Sequence, residues 1–528
     1  MSQNFRLNEI GLINRDKKIS FKFNGKKYFG YEGDTLASAL IANGVHLVGR
    51  SFKYHRPRGF FGAGVDEPYA IVQLYRNGET DPNCRATEQE LFEGLEAKSI
   101  NCFPSVNFDV GAINNFLNIF FPAGFYYKTF MWPKSFWYKV YEPFIRKAAG
   151  FGTASIKHDK ERYEHKYEYC DLLVTGSGPS GLASAYAAAK NGAKVILAED
   201  KARFGGSLLT SEVNIGNQSG KDWADNIIAE LKAMKNVVVK NRSQVFGYYD
   251  HNMLVMSERV SDHLSETKKY NPKQRLWYIR AKEVIISTGS IERPIVFGNN
   301  DTPGVVLSSA AKEYLKVYGV LVGKKPLIFT NNDSAYETAI EFKKNGITPI
   351  ILDSRSNPES EIINEAKNLD IEIKFSHVVV AANGYKKVKS AQIAKISEDK
   401  KNLINTYNIA CDCICVSGFW TPTIHLASQS GNKTKYNENI DAFVPHKPKQ
   451  AETTLGSANG IFTLEETLKT SFETANEISK KITNKENTIL IPKVSEKKNS
   501  KHDKFWCVPL PKGKTYKRFL DFQNDVTV

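Results

Sequence analysis

The sequence predicts an α/β protein of more than one domain, on three observations. The apolar strand Asp171–Val174 runs into a glycine-rich turn and then an alanine-rich helix, which is the order of a Rossmann-type βαβ unit. A second strand–helix–strand pattern follows at 325–353. Ahead of both, residues 18–75 alternate apolar and polar positions as short strands do. A chain of 528 residues is long enough for several domains.

The N-terminal region predicts a hairpin followed by a helix. Asn24-Gly25 fits the two-residue turn of the hairpin, and Asp34 or Thr35 is the expected N-cap of the helix. This order resembles the β-grasp fold of plant-type ferredoxins, in which closely spaced cysteine thiolates hold a two-iron cluster. The loop that would carry those thiolates, 51–64, contains no cysteine. We therefore predict a ferredoxin-like domain without an iron–sulfur cluster.

Residues 116–144 hold thirteen aromatic side chains. Such a density requires burial, and two interpretations stay open. The segment forms a local hydrophobic cluster that wraps its own domain, or it forms a subunit interface, where aromatic residues are enriched. Lys128, Lys134 and Lys139 interrupt the segment, so it is not predicted to span a membrane. The charged stretch that follows, 157–166, predicts a linker.

The glycine-rich turn predicts a dinucleotide-binding site. Gly176 would make the tight turn, Gly178 would let a pyrophosphate approach the backbone, and Gly181 would let the helix pack on the strand. The helix N-terminus adds N–H donors that favour an anion. Glu199 ends the next strand, at the position where an acid accepts ribose hydroxyls and repels a 2′-phosphate.

Two later features agree with that site. Phe204–Ser207 contains a second glycine pair, and Glu283–Gly289 is a strand that ends in a threonine-glycine turn. Together with the first turn they resemble the two-dinucleotide-binding-domain flavoproteins, a family that includes glutathione reductase and in which the later turn closes over the first nucleotide site. We predict no catalytic residue and no metal ligand. The candidate cofactor-binding residues are Gly176, Ser177, Gly178, Pro179, Ser180, Gly181, Glu199, Asp200, Gly205, Gly206, Ser207, Val245, Thr288 and Gly289.

The second strand–helix–strand pattern lacks the glycines. Its turn reads Thr330-Asn331-Asn332-Asp333, so side chains occupy the space of a pyrophosphate, and the Asp333 carboxylate would repel it. We expect this unit to pack without a nucleotide. Disulfide reductases need a cysteine pair shortly after the second glycine pair, and Ser207–Glu212 contains none, so that chemistry is excluded.

Composition and cysteine usage exclude further classes. Seven cysteines in a chain of this length give no disulfide framework, and the chain starts without an apolar signal segment, so we predict a cytoplasmic protein. Cys411, Cys413 and Cys415 are interpreted as small buried residues of one strand rather than zinc ligands. The net charge is +15, but the lysines are spread along the chain, so neither nucleic acid nor a membrane is a predicted partner.

Several segments make the resemblance more specific. They are Arg50–Gly59, Pro122–Pro133, Arg203–Gly206, Thr330–Tyr336 and His425–Gly431. On these segments the chain resembles the α-subunit family of heterotetrameric sarcosine oxidases over essentially its whole length. The resemblance implies a two-dinucleotide-binding-domain (FAD/NAD(P)-binding, Rossmann-like) fold, preceded by a degenerate ferredoxin-like β-grasp domain without cluster ligands.

The resemblance also implies a function. The four-subunit enzyme oxidatively demethylates sarcosine to glycine with tetrahydrofolate and O2, and it yields 5,10-methylenetetrahydrofolate and hydrogen peroxide. The β subunit would carry FAD, the amine site and a covalent FMN near the interface. This chain would bind NAD, contact the β, γ and δ subunits, and reach the small-molecule substrate only through them. Tetrahydrofolate would bind in a missing C-terminal, aminomethyltransferase-like domain.

Two alternatives stay open. In the first, the same domain holds FAD, and the chain is an electron-relay subunit of a related amine, opine or proline dehydrogenase. A glycine turn followed by an acid serves the adenosine half of NAD and FAD alike, so the sequence does not separate the two cofactors. In the second, the chain is an inactive truncated product that binds a partner.

The chain is predicted to divide into four regions. They are a ferredoxin-like domain (1–110), an aromatic-rich interface arm and linker (111–165), a Rossmann-type domain (166–482) with the second βαβ unit inserted at about 295–410, and a polar tail (483–528) that leads to the folate-binding domain. The polar, lysine-rich start of this tail favours a flexible connection.

Overall fold

The computed structural model describes residues 3–76, 78–121, 124–265, 270–485, 487 and 489–528. It divides into two compact units, each built from separate stretches of the chain. Unit 1 comprises Met1–Asp159, Arg293–Phe419 and Asn499–Val528. Unit 2 comprises Lys160–Glu292 and Trp420–Lys498. The four region boundaries stay predictions.

Unit 1 begins with the ferredoxin-like domain. Its hairpin turns at Asn24-Gly25, where both residues have positive φ (50° and 77°), as a type I′ turn requires. Thr35 caps the buried helix Leu36–Ala42 in a capping box with Ser38. The sheet has five strands, in the spatial order Lys26–Glu32, Asn14–Phe23, Glu96–Ser99, Ile71–Arg76 and Glu79–Arg85.

Unit 1 also contains the second βαβ unit, so the predicted strand–helix–strand pattern is confirmed. The parallel strands lie in the order Val305–Leu307, Cys413–Ser417, Pro326–Thr330, Ile350–Asp353 and Glu372–Phe375. The helices of this stretch are Ser308–Tyr318, Ser334–Lys344 and Glu361–Asn368. A separate antiparallel sheet contains His377–Gly384, Val388–Ile396 and Leu403–Ala410.

Unit 2 contains the first βαβ unit. Its main sheet has the order Val237–Lys240, Val195–Ala198, Tyr163–Thr175, Gln274–Ile286, Met253–Arg259 and Ser243–Tyr249, with Glu452–Thr454 beside Gln274–Ile286. The helices are Pro179–Lys190, Gly220–Ala233, His425–Gln429 and Leu464–Thr483. The first helix is rich in buried alanines, and such small side chains let the sheet and the helix Leu464–Thr483 pack closely against it.

Two stretches differ from the sequence-based expectations. The first strand of unit 2 begins at Tyr163, so it includes the end of the stretch predicted as a linker. In the predicted tail, Asn499–Val528 belongs to unit 1. Phe505, Val508 and Phe519, which follow the predicted flexible stretch 483–503, are buried there, and this apolar burial favours packing of 505–519 within unit 1.

The three clustered cysteines are buried, as the sequence predicts. Cys413 and Cys415 are buried in one strand, whereas Cys411 lies just before that strand, so the strand is shorter than predicted. Burial raises the pKa of the Cys411 thiol to about 12. Within the described ranges, no group of three or more His, Cys, Asp or Glu side chains is arranged to hold a metal ion. In the same ranges, no helix is both long and apolar enough to cross a membrane.

Candidate dinucleotide-binding site

The glycine-rich turn leaves open space at its middle glycine. A Cβ at Gly178 would meet no described atom within 4 Å. By contrast, a Cβ at Gly176 would overlap the carbonyl oxygen of Ser287, and a Cβ at Gly181 would overlap the carbonyl oxygen of Gly176. The outer two glycines are therefore required by the packing of the protein itself. The middle glycine instead leaves the backbone accessible, which is what the approach of a pyrophosphate needs.

The helix after the turn presents its N-terminus to the same space. Gly178 is the N-cap, Pro179 follows it, and no described side chain caps the helix. The free N–H groups of the first turn and the helix dipole both favour an anion at this point. The Ser180 hydroxyl does not cap the helix. It lies 2.8 Å from the Ser471 hydroxyl and so connects this helix to the helix Leu464–Thr483.

Glu199 lies directly beside the turn. Its carboxylate accepts hydrogen bonds from the Ser177 N–H (2.9 Å), the Ser177 hydroxyl (2.6 Å) and the Lys201 N–H (3.0 Å). Burial, followed by the negative charge of Asp200, raises the pKa of the Glu199 carboxyl to about 8. Ribose hydroxyls that donate to this group would favour its charged form.

The second glycine pair packs on the first turn. The Gly205 N–H donates to the Ser177 carbonyl oxygen at 3.1 Å, and a Cβ at Gly206 would lie 2.8 Å from the Gly178 Cα. Both glycines have positive φ, 115° and 53°. Ser207 follows on the exposed side of this pair. The pair thus brings a second stretch of backbone against the position where the first turn is open.

The threonine-glycine turn also lies against the first turn. The Thr288 Cα would be 3.5 Å from a Cβ at Gly176. The Thr423 hydroxyl lies within hydrogen-bond distance of the Thr288 carbonyl oxygen (2.9 Å) and the Gly289 carbonyl oxygen (2.7 Å). Sequence analysis does not select Thr423, because it is remote in the chain and belongs to no glycine motif.

Gly456 is a second residue that sequence analysis does not select. Its φ is +63°, and a Cβ there would lie 2.9 Å from the Ser180 Cβ, so it lets the chain pass close to the first helix. The sequence feature that could have indicated Gly456 is the stretch of small residues at 456–460, shortly before the helix Leu464–Thr483. Val245 lies further away, half-buried in a strand near Ser243, whose N–H donates to the Glu199 carbonyl oxygen at 2.7 Å.

The turn of the second βαβ unit is filled by protein. Asp333 is buried, and its carboxylate accepts hydrogen bonds from the Ser500 N–H (2.6 Å) and hydroxyl (2.7 Å). It also pairs with the Arg355 guanidinium at 2.8 Å. The Asn331 amide donates to the Asp503 carbonyl oxygen at 2.8 Å. The chain's own residues near 500 therefore take the space that a pyrophosphate would need at this turn.

Two arginines of the loop 51–64, where a ferredoxin would carry its cysteines, form buried ion pairs. The Arg56 guanidinium contacts both carboxylate oxygens of Asp301, at 2.6 and 2.7 Å. Arg58 is completely buried and pairs with both Asp301 and Asp525. Burial opposes the charge of Asp301, but the two guanidinium groups lower the pKa of this carboxyl to about 2. The loop is therefore joined to two remote stretches of unit 1, those of Asp301 and Asp525.

Comparisons with known proteins agree with this architecture. Residues 16–102 match the 2Fe-2S iron-sulfur cluster binding domain family, and residues 170–445 match the pyridine nucleotide-disulphide oxidoreductase family. Sarcosine oxidase subunit alpha of Rhizobium meliloti (strain 1021) is 41% identical over 99% of this chain and 52% of that protein. The corresponding subunit of Corynebacterium sp. (strain P-1) is 31% identical over 85% of this chain and 42% of that protein. The chain spans about half the length of these relatives.

Among solved structures, L-proline dehydrogenase from P. horikoshii has a TM-score of 0.60 and 19% identity, covering 91% of this chain and 76% of that chain. This likeness shows the fold. The predicted α/β fold, with a ferredoxin-like domain ahead of a Rossmann-like domain, is confirmed. The chain belongs to the pyridine nucleotide-disulphide oxidoreductase family and is a relative of the sarcosine oxidase alpha subunits.

Proposed function

We propose that this chain is the NAD-binding part of the α subunit of a heterotetrameric sarcosine oxidase. The similarity to sarcosine oxidase alpha subunits over 99% of the chain supports the assembly. The observation that supports dinucleotide binding is the open space at Gly178, next to a helix N-terminus that no described side chain caps.

In this proposal the backbone N–H groups between Gly176 and Gly181 hold the pyrophosphate, because donors and dipole both favour an anion there. Glu199 holds the ribose hydroxyls and disfavours a 2′-phosphate, so NAD is preferred over NADP. Bound NAD is a hydride acceptor by its chemistry, but we assign it a structural role here. This chain's own residues only bind and orient it.

The reaction of the whole assembly is part of the proposal. Sarcosine is demethylated to glycine, with the one-carbon unit passed to tetrahydrofolate and the electrons to O2. Amine oxidation takes place in a β subunit that carries FAD and, near the interface with this chain, FMN. The γ and δ subunits complete the complex. No step is assigned to residues of this chain, so 5,10-methylenetetrahydrofolate and hydrogen peroxide form elsewhere in the complex.

Identification of the bound nucleotide tests the proposal. The chain is purified alone and with a candidate β subunit, each sample is denatured, and the released nucleotide is identified by absorbance and mass. We expect NAD from the colourless chain and yellow flavin only from the complex. FAD from the chain alone would replace the proposal with an electron-relay subunit of a related dehydrogenase. Release of no nucleotide from either sample would overturn dinucleotide binding altogether.

A further inference from the structure

Four cationic side chains of unit 1 lie close together. We call them the cation cluster: Lys53, Arg56, Arg58 and Lys517. The Lys53 and Lys517 ammonium groups lie over the ring of Tyr54, 4.7 and 4.5 Å from its centroid. The Arg56 guanidinium and the Lys517 ammonium donate to the same oxygen, Asn115 Oδ1, at 3.3 and 2.8 Å. Positive charges from the loop 51–64 and from Lys517 are therefore held side by side.

Two carboxylates offset only part of this charge. Asp301 pairs with Arg56 at 2.6 Å and also with Arg58, and Asp525 pairs with Arg58. Asp525 in addition accepts a hydrogen bond from the backbone N–H of Lys53 at 3.3 Å. Among the described residues, no carboxylate forms an ion pair with either ammonium group of the cluster. Four cations and two carboxylates leave a net charge of +2.

The Lys517 ammonium is held by neutral acceptors. It donates to the Asn115 carbonyl oxygen at 3.1 Å as well as to Oδ1, and the Asn299 N–H fixes the backbone by donating to the Lys517 carbonyl oxygen at 2.7 Å. A lysine on a solvated surface usually keeps its ammonium in water. Burial, followed by the charge of Arg56, lowers the pKa of the Lys517 ammonium to about 8. The ammonium is thus placed beside other cations at a cost in free energy.

Part of the cluster can be reached from solvent. Lys53 and Lys517 are half-buried, and the Arg56 side chain is 11% exposed, whereas Arg58 is completely buried. The Arg58 Nε–H has no acceptor among the described residues, so the cluster is short of acceptors as well as of negative charge. A ligand could therefore contact Lys517 directly, and Arg58 would act on it only through its charge.

We propose that the accessible part of the cation cluster binds a phosphate group, with the Lys517 ammonium as its donor and Lys53 and Arg56 as flanking charges. A phosphate group carries a charge of about −1.5 to −2 at pH 7, which matches the net charge of the cluster. Its oxygens are strong acceptors for cationic donors. The phosphate is free in solution or belongs to a small organic molecule. The proposed function does not use these residues, because its nucleotide site is built from unit 2.

Other anions fit the cluster less well. A single carboxylate carries one negative charge and would leave part of the positive charge unbalanced. A nucleic acid is usually bound by a basic stripe along which several phosphates lie. The lysines of this chain are instead spread along the sequence, and the cluster is confined to a few side chains. A small phosphate is therefore the ligand that the charges favour.

Calorimetric titration of the full chain with inorganic phosphate tests the inference. One set uses the chain saturated with NAD and a second uses Gly178→Val, so that the glycine-rich turn contributes in neither. We expect one equivalent of phosphate to bind in both sets, and acetate at equal ionic strength to bind at least about tenfold more weakly. Lys517→Met should weaken phosphate binding about tenfold or more, and Lys53→Met should weaken it less. The matched control, Lys386→Met with Lys389→Met at two exposed lysines of unit 1, should bind like the unmodified chain.

The pH dependence adds a readout that a purely structural role of Lys517 would not change. The titratable and charged groups around its ammonium are Lys53, Tyr54, Arg56, Asp301 and Asp525. Because the pKa of Lys517 is about 8 and the charged form binds phosphate, affinity should fall by up to about tenfold per pH unit above pH 8. Lys517→Met should remove this fall.

The remaining outcomes are equally defined. Equal phosphate affinity of the unmodified chain and Lys517→Met, equal affinity for acetate and phosphate, or tight binding of single-stranded oligothymidine that Lys517→Met abolishes would each overturn the inference. Ribose 5-phosphate, with ribose as its control, separates the two sources: tighter binding than inorganic phosphate supports an organic phosphate, and equal binding supports the free ion.

Folding and the proposed function are checked separately. The melting temperature of each variant in phosphate-free buffer is the folding control. If Lys517→Met lowers it, Lys517→Gln, whose amide can still donate a hydrogen bond, repeats the titration with the same expectation. A chain that retains no NAD but binds phosphate in Gly178→Val would overturn the proposed function and support the inference. A chain that retains NAD but binds no phosphate would do the reverse.

Discussion

The two βαβ units of this chain use the same strand–turn–helix geometry in opposite ways. In unit 2 the turn has glycine at 178, and a Cβ there would meet no described atom within 4 Å. In unit 1 the corresponding turn carries Asn331 and Asp333, which bind the chain's own residues near 500. The first turn leaves a place for an anion, and the second is completed by protein.

The difference shows that the fold alone does not make a nucleotide site. Both turns follow parallel strands, and both precede helices whose dipoles favour an anion. What separates them is the side chains of the turn, because the second turn has Asn331 and the charged Asp333 where the first turn has glycines. At the second turn, Asp333 and Asp353 share the single Arg355 guanidinium, so one positive charge offsets only part of the negative charge that would repel a phosphate.

The largest expected effect is loss of the nucleotide from Gly178→Val. The residue has φ −67°, which valine accepts, and a Cβ there would meet no described atom within 4 Å. We expect nucleotide retention to be abolished while circular dichroism and the melting temperature stay close to those of the unmodified chain. Retention of nucleotide at full occupancy would show that the site lies elsewhere.

The next largest effect is expected on the free energy of unfolding, from a change beside the turn of the second βαβ unit. Arg355→Met leaves the buried carboxylates of Asp333 and Asp353 without their counter-charge, so unfolding should become easier by about 3–5 kcal/mol. Denaturant titration measures the change. The control is Lys344→Met, which removes a partly exposed pair with Glu365 at 3.7 Å and should cost less than about 1 kcal/mol. Equal effects of the two variants would contradict the importance of this ion pair.

A smaller effect, on stability and on nucleotide affinity, is expected when the Glu199 carboxyl changes its protonation state with pH. The pKa is about 8 in the folded chain against an ordinary 4.5, so the folded state holds the proton more tightly. The group's contribution to stability is therefore full below about pH 4.5 and is lost as the pH rises through 8. Ribose hydroxyls favour the charged form, so nucleotide affinity should rise by up to about tenfold per pH unit between pH 6 and 8.

Calorimetric titration of the nucleotide-free chain with NAD measures this profile. Glu199→Gln should flatten it and weaken binding at pH 8 by about tenfold, while Glu230→Gln, on the exposed surface of unit 2, should leave it unchanged. A profile that keeps its slope in Glu199→Gln would assign the proton to another group.

The smallest effect is expected from Asn332→Gly, which gives the second turn a glycine without opening it. The Asn332 amide donates to the Ser417 hydroxyl at 3.0 Å, so stability should fall by about 1–3 kcal/mol. The nucleotide content should stay unchanged, because Ser500 and Asp503 still occupy the space. A second equivalent of nucleotide in this variant would mean that one side chain, rather than the segment near 500, keeps the turn closed.

Local patterns predict much of this architecture. The strand, the glycines and the helix after Asp171 are neighbours in sequence, so their geometry follows from local periodicity and backbone freedom. The hairpin at Asn24-Gly25 follows from turn chemistry in the same way. The sequence likewise places Glu199 at the end of the strand next to the turn, where the structure has it.

Features that depend on distant residues could not be predicted in that way. Thr423 reaches Gly289 across 134 residues, and the segment near 500 reaches Asp333 across 167. Neither distance leaves a local pattern in the sequence. The aromatic segment shows a further limit, because composition indicates that its rings need cover but does not indicate which of them turn outward.

The buried Arg58 has a consequence for how this protein is made. Its partner Asp525 lies 467 residues further along the chain, so at about 5–20 residues per second it leaves the ribosome roughly 25–90 s after the arginine. During that interval the Arg58 guanidinium has no Asp525 carboxylate to pair with. Unit 1 therefore cannot form all of its buried ion pairs until Asp525 has left the ribosome. In a chain that is cut before Asp525, Asp301 would be left as the carboxylate partner of the buried Arg58.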